Sequence, residues 1–147
     1  MKVKSIQTLA CDAGWRNYHF VKLTTDTGVV GWSEFDEGFG APGVGTVIER
    51  LAARIVGQPV SEHERIYAEL YCATRPAAGG IVALAMGAIE NALLDAKAKG
   101  LGVPVSSFLA ARYAAGSACT GRTAPRGGST TPRTTSPPSR TSTGSRR

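Results

Sequence analysis

Three short runs near the start of the chain mix hydrophobic and polar positions and are rich in β-branched and aromatic residues. They read VKSIQTLAC, YHFVKLTTD and GVVGWSEF, at residues 3–11, 18–26 and 28–35. Such runs are typical of strands. Asp26, Thr27 and Gly28 separate the second strand from the third and are typical of a hairpin turn. The pattern therefore predicts a three-stranded antiparallel meander.

Further along, hydrophobic residues recur every three to four positions, which is the period of an α-helix. The first predicted helix has an apolar face of Val44, Val47, Ile48, Leu51 and Ile55, with Gly57 placed to cap its C-terminus. Ser61 and Glu64 form a capping box at the start of the second. Its apolar stripe comprises Ile66, Tyr67, Leu70 and Tyr71.

A third helix is predicted from Gly80 to Lys99. Its apolar face is Ile81, Ala85, Ala88, Ile89, Ala92 and Ala96. These residues are mostly small, which lets a partner element approach closely. Gly100 with Leu101 indicates a Schellman ending, and Pro104 prevents continuation of the helix. The fold class is therefore α+β, a three-stranded meander followed by a bundle of about three helices.

Composition divides the chain of 147 residues into two unlike parts. Residues 1–105 carry ten Lys or Arg and eleven Asp or Glu, whereas residues 106–147 carry seven Arg, no Lys and no acid. After Cys119 the chain contains no Val, Ile, Leu, Met, Phe, Trp or Tyr. Such a segment cannot bury enough apolar surface to offset its ordering entropy. We predict one domain over 1–105 and a disordered basic tail over 106–147.

Other features narrow the class of protein. No apolar run follows MKVKSIQ, and the longest apolar stretch, IVALAMGAI, ends at Glu90 and is too short to span a bilayer. We therefore expect a cytoplasmic protein. Cys11, Cys72 and Cys119 are isolated and odd in number, which argues against a disulfide framework or a zinc site.

The order of these elements, ending in AIENALLDAKAKGLGVPV, resembles the N-terminal capping domain of the enolase superfamily, in its mandelate racemase and muconate-lactonizing branch. The most specific residues are in the third helix: an Ala-Ile-acid pattern, the pair Leu94 and Asp95, Lys97, and a Gly-x-Pro exit. CDAGWRNYHFVKLTTDTGVVGWSEFDEGFG also resembles the first hairpin of sugar-acid dehydratases in this group.

The resemblance implies a reaction and also where its chemistry lies. In this family the capping domain precedes a β/α barrel, and a Lys or His base removes a proton beside a carboxylate while Mg²⁺ stabilises the enediolate. The metal ligands and the base belong to the barrel, which needs about 250 residues. The 42 residues after Val105 are too few. We therefore expect a capping domain that is inactive alone, with no catalytic residue, metal ligand or bound cofactor of its own.

The sequence departs from the family pattern at Ser106, where a Leu-Leu-Gly-Gly turn is usual. One permitted set of codons for Ser106 to Tyr113, read from its third nucleotide, encodes Glu-Leu-Pro-Gly-Gly-Lys-Val, which closely restores that turn. Allowed codons onward to Ala124 similarly yield a plausible barrel strand. Together with the Arg-rich, Lys-free tail, this favours a frameshift before the barrel, so that the tail is out of frame.

Two loops are the candidate functional segments, because the family's capping domain closes over the barrel mouth with two loops that help to select substrate. By resemblance they are DAGWRN and EFDEGFGAPG, at residues 12–17 and 34–43. Trp15 could stack on a sugar acid, Arg16 could pair with its carboxylate, and Asn17 lies beside them. Phe35 and Phe39 could exclude water. The alternative, which we favour for the isolated chain, is that Trp15 and Phe39 pack against the domain's core and Arg16 is solvated.

Other polar groups give weaker signals. Glu34, Asp36 and Glu37 could attract a cation, but no further ligand is evident, so we assign no metal site and predict a solvated acidic loop. His19 shares a strand face with Val21 and Leu23, which indicates a partly buried structural histidine. His63 is expected to be exposed.

Two other functions stay open. The tail could be a basic arm that binds nucleic acid nonspecifically through its seven arginines. Alternatively, the domain could complement a separately made barrel, docking through the small-residue face of the third helix. In the isolated domain we expect that face to be exposed, which predicts self-association or marginal stability.

Overall fold

A computed structural model describes residues 1–38, 41–77 and 79–109. Its elements are β1 (Val3–Asp12), β2 (Asn17–Thr25), β3 (Val30–Phe35), α1 (Val44–Ile55), α2 (His63–Thr74) and α3 (Gly80–Leu101). Single 3-10 turns lie at Val60–Glu62, Arg75–Ala77 and Val105–Ser107. The predicted α+β order of a meander and then three helices is confirmed. The predicted tail lies, from residue 110 onward, outside the described residues.

The three strands form an antiparallel sheet in the order β1-β2-β3. Leu23 in the central strand pairs with Ile6 on one side and with Gly31 on the other. Two backbone hydrogen bonds close the turn between β2 and β3. The N–H of Thr25 donates to the carbonyl of Val29 at 3.0 Å, and the N–H of Gly28 donates to the carbonyl of Thr25 at 3.2 Å. One face of the sheet, with Val21 and Leu23 fully buried, packs against the helices.

The small side chains of α3 lie inside the domain. Ala85, Ala88, Ala92 and Ala96 are all buried, because α3 packs along β3. A Cβ added to Gly31 on β3 would stand 2.1 Å from the carbonyl oxygen of Ala92, so the glycine and the alanines together allow this close packing. The prediction that this face is exposed is therefore wrong. Ile81, which was predicted to belong to it, is 37% exposed.

Details at the helix ends differ from the predictions. No side chain caps α2, which begins directly after a 3-10 turn that contains Ser61, so the predicted capping box is wrong. The Schellman ending of α3 is present two residues later than predicted. Gly102 takes a left-handed φ of 66°, and the N–H of Val103 donates to the carbonyl of Ala98 at 3.1 Å.

Two further predictions concern side-chain exposure. Ile66 and Leu70 of α2 are buried as predicted, whereas Tyr71 is 46% exposed. Cys11 and Cys72 are exposed free thiols, and Cys119 lies outside the described residues. Across residues 1–38, 41–77 and 79–109, the helices lack the combination of length and hydropathy that a membrane crossing requires.

Candidate functional site

The two predicted loops lie at the same end of the sheet. Residues from the β1–β2 turn and from the segment after β3 line a groove of about 790 Å³. Its lining residues are Trp15, Arg16, Asn17, His19, Asp36, Glu37 and Gly38. The sequence placed Trp15, Arg16 and Asn17 in this region, but it did not predict that His19 also reaches the groove. The side chain of His19 lies on the core face of β2. Because His19 is near the beginning of that strand, its ring stays partly accessible.

The β1–β2 turn presents Trp15 to solvent. The carboxylate of Asp12 accepts a hydrogen bond from the N–H of Gly14 at 2.7 Å, and the N–H of Ala13 donates to the carbonyl of Arg16 at 3.0 Å. These bonds close a short turn with Trp15 at its tip. Trp15 is 77% exposed, and its ring meets Tyr18 edge-on, with the centroids 6.0 Å apart. The interpretation that Trp15 packs against the core is therefore wrong.

Arg16 is exposed but has partners within the domain. Its Nη2 lies 3.6 Å from Oε1 of Glu34, and its guanidinium carbon lies 4.8 Å from the centroid of the Tyr18 ring. Stacking on an aromatic face leaves the N–H donors at the edge of the guanidinium accessible. Arg16 is therefore orientated by Tyr18 and Glu34 and still has donors for an anionic group.

The second lining segment is tied to α1. The two carboxylate oxygens of Glu37 accept hydrogen bonds from the N–H groups of Gly43 and Gly45, each at 2.7 Å. Oδ1 of Asp36 accepts one from the N–H of Gly38 at 2.9 Å.

The two predicted phenylalanines have different outcomes. Phe35 is 8% exposed, and its ring lies 5.6 Å from that of His19, so it belongs to the core beneath the groove. Phe39 lies outside the described residues.

The acidic residues near the groove do not fit a magnesium site. Glu34 faces Arg16, whereas Glu37 is bound by two backbone N–H groups. Among the described residues, no three His, Cys, Asp or Glu side chains converge in a way that could hold a metal ion.

His63 lies away from the groove. It was predicted to be exposed, but it is half-buried, and its Nδ1 lies 3.4 Å from Nζ of Lys97.

The clearest pKa shifts occur away from the groove. The N–H of Lys2 donates to Asp26 at 2.7 Å and lowers the pKa of that carboxyl. The pKa of Glu69 is lowered mainly by a hydrogen bond from Gln58 and, to a smaller extent, by one from Arg65. The pKa of Arg65 is raised, first by its hydrogen bond to Glu62. These are surface interactions of the helices and of the N-terminus.

Residues 3–110 match the family model of the mandelate racemase / muconate lactonizing enzyme, N-terminal domain. The chain belongs to this family. The predicted resemblance to the capping domain of the enolase superfamily is thereby confirmed. Among curated members, the D-galactonate dehydratase of Pectobacterium atrosepticum is 35% identical over 109 residues, which is 74% of this chain and 28% of that protein.

Solved structures agree with this family assignment. A protein of Burkholderia xenovorans strain LB400, provisionally named an L-alanine-DL-glutamate epimerase, is 70% identical, with a TM-score of 0.73, over 74% of this chain and 28% of the other. A second structure under the same name is bound to magnesium and fumarate. The 3,6-anhydro-D-galactonate cycloisomerase of Zobellia galactanivorans is 30% identical, with a TM-score of 0.67, over 74% of this chain and 32% of the other.

The chain spans about 28% of the length of the D-galactonate dehydratase that it matches. The mandelate racemase / muconate lactonizing N-terminal domain is therefore what the two proteins share. The described part of this domain provides the groove.

Proposed function

We propose that this domain is the substrate-selecting cap of a Mg²⁺-dependent enzyme that removes a proton beside a carboxylate, of the sugar-acid dehydratase or racemase type. The observation that supports it most is the groove, where an exposed Trp15 and an orientated Arg16 project from one turn. The exposed indole at the tip of the turn offers a large apolar face with a polar N–H, which suits contact with a ligand. A sugar acid offers a flat C–H face for the indole and a carboxylate for the guanidinium.

In this proposal the domain binds and orientates, and it does not perform proton transfer. Trp15 covers the substrate and excludes water, while Arg16 donates to an anionic group of the substrate that replaces Glu34 as its partner. His19 and Asn17 lie beside them and offer further hydrogen bonds. The metal, which stabilises the enediolate, and the acid–base residues come from the barrel of an intact enzyme. The domain alone is therefore inactive.

A fusion protein tests the proposal. Residues 1–109 of this chain replace the equivalent residues of the Burkholderia xenovorans protein, which is feasible because the two are 70% identical over the matched region. The fusion and its parent are assayed with Mg²⁺ and a panel of acids that includes D-galactonate and L-alanyl-DL-glutamate. Mg²⁺-dependent turnover by the fusion supports the proposal. A folded, Mg²⁺-binding fusion that is inactive on every substrate of its parent contradicts it.

A barrel supplied as a separate chain is the second candidate arrangement. The domain has its own buried core, formed by Leu23, Ile48, Ile89 and Leu93 among others, which favours independent folding. Co-expression with the parent's barrel lacking its own cap tests this arrangement. Co-purification and restored Mg²⁺-dependent turnover support it, and recovery of two separate inactive chains contradicts it.

A further inference from the structure

Glu37 stabilises a helix from a position outside it. It lies two residues after β3, and its side chain reaches the beginning of α1, where Oε1 accepts from the N–H of Gly43 and Oε2 from the N–H of Gly45. Both distances are 2.7 Å, as expected for hydrogen bonds to a charged acceptor. One carboxylate therefore satisfies two of the N–H groups that a helix leaves unpaired at its start.

The N-cap residue of α1 supplies no side-chain cap of its own. Its N-cap residue is Gly43, which has no side chain and takes a left-handed φ of 97°, and the first turn of the helix contains no acidic residue. A negative charge at this end is favourable because the N–H groups carry a partial positive charge. Glu37 provides both the hydrogen-bond acceptors and the charge that the helix itself lacks.

The packing around Gly45 leaves room for this contact. A Cβ at residue 45 would stand 3.4 Å from Oε2 of Glu37 and 3.6 Å from the ring of Phe35. Both are ordinary van der Waals separations, so the carboxylate reaches the backbone without crowding at residue 45. Because Val44 and Ile48 of α1 are fully buried, the carboxylate is attached to a part of the helix that the core holds in place.

We infer that Glu37 is a positioning residue for the groove. Its carboxylate fixes the lining segment Asp36–Gly38 to α1, and so sets the distance of that segment from Trp15 and Arg16. The groove's use for substrate rests on the proposed function. The attachment itself does not, and it is testable without any substrate.

The test is amide hydrogen exchange by NMR on the full chain, comparing Glu37→Gln with the unaltered protein. Glu49→Gln is the matched control. Glu49 is also a carboxylate near this end of the domain, on α1, but its hydrogen bond comes from the hydroxyl of Thr8 on β1 and not from the backbone at the start of the helix. In Glu37→Gln, exchange at Gly43 and Gly45 is expected to rise about tenfold or more. Their amide protons are also expected to shift upfield on losing a charged acceptor, while exchange within α3 stays within about twofold. Glu49→Gln leaves both glycines unchanged.

Two results would overturn the inference. One is unchanged exchange and chemical shift at Gly43 and Gly45, and the other is an equal rise in exchange throughout α3, which indicates a general role in stability. If Glu37→Gln does not fold, exchange in the unaltered chain alone tests the inference. Unprotected Gly43 and Gly45 amides in that chain would contradict the attachment. Failure of the proposed function would instead appear as an inactive fusion protein with both amides protected.

Discussion

The carboxylate of Asp95 on α3 accepts a hydrogen bond from the backbone N–H of Trp32 on β3, at 2.8 Å. The same oxygen lies 2.6 Å from Nζ of Lys99, which also donates to the carbonyl of Val30 at 3.1 Å. β3 is an edge strand, and unpaired edge groups can pair with another chain. Two side chains of α3 therefore occupy backbone groups that would otherwise be available at this edge.

Removing the Asp95 carboxylate should destabilise the domain and expose that edge. Asp95→Ala is expected to lower the free energy of unfolding by about 1–2 kcal/mol, because the N–H of Trp32 loses its acceptor and Lys99 its partner. Asp95→Asn keeps an acceptor for Trp32 and should cost less. Urea unfolding of both variants checks this order. Equal losses would show that the hydrogen bond to Trp32 contributes nothing.

Gly31 and Gly87 should respond oppositely to alanine. A Cβ at Gly31 would stand 2.1 Å from the carbonyl oxygen of Ala92, so Gly31→Ala is expected to cost about 3 kcal/mol or more, or to prevent folding. Gly87 lies within α3 with nothing within 4 Å of an added Cβ, and Gly87→Ala should stabilise by about 0.5–1 kcal/mol. Thermal unfolding measures both. A neutral Gly31→Ala would contradict the close packing of α3 on β3.

The stability of the domain should depend on Asp26 at low pH. The N–H of Lys2 lowers the pKa of Asp26, so the ionised form contributes stability above the ordinary pKa of about 4. That contribution is lost as the pH falls through the lowered pKa. In urea unfolding between pH 7 and pH 2, the unaltered chain should be more stable than Asp26→Asn at neutral pH, and the difference should vanish at the acid end. A constant difference would argue against this linkage.

The sequence predicted the strands and the helices well because their periods are local properties. Of the five residues predicted to form the apolar face of α1, Val44, Ile48, Leu51 and Ile55 are buried and Val47 is half-buried. The sequence could not show that the alanines of α3 pack inward against Gly31, because that contact joins residues about 60 positions apart. The side-chain cap of α1 was missed for a similar reason, since Glu37 reaches Gly43 across a loop.

The candidate site was predicted only in part. Resemblance identified both loop segments, and alternation along β2 gave His19 its partly buried position. Neither could decide whether Trp15 points inward, because the turn that exposes it depends on the hydrogen bond from Gly14 to Asp12.

Trp15 and Phe35 were predicted for the same site, yet their substitution should have different effects. Trp15→Ala is expected to change the free energy of unfolding by less than about 0.5 kcal/mol, because the side chain is 77% exposed. Phe35→Ala should cost about 3–5 kcal/mol, because its ring is in the core. Urea unfolding of the full chain distinguishes them. A large loss on Trp15→Ala would restore the interpretation that Trp15 packs against the domain.

The central claim is that the groove contacts the substrate through Trp15 and Arg16 of the β1–β2 turn. The most direct measurement is kcat/KM of the fusion protein with Arg16→Ala, with Arg50→Ala, an exposed residue of α1, as the matched control. The account predicts a loss of about tenfold or more for Arg16→Ala, since a charged hydrogen-bond partner of the substrate is removed, with unfolding unchanged and the control unaffected. Equal kcat/KM for both variants and the unaltered fusion would contradict it.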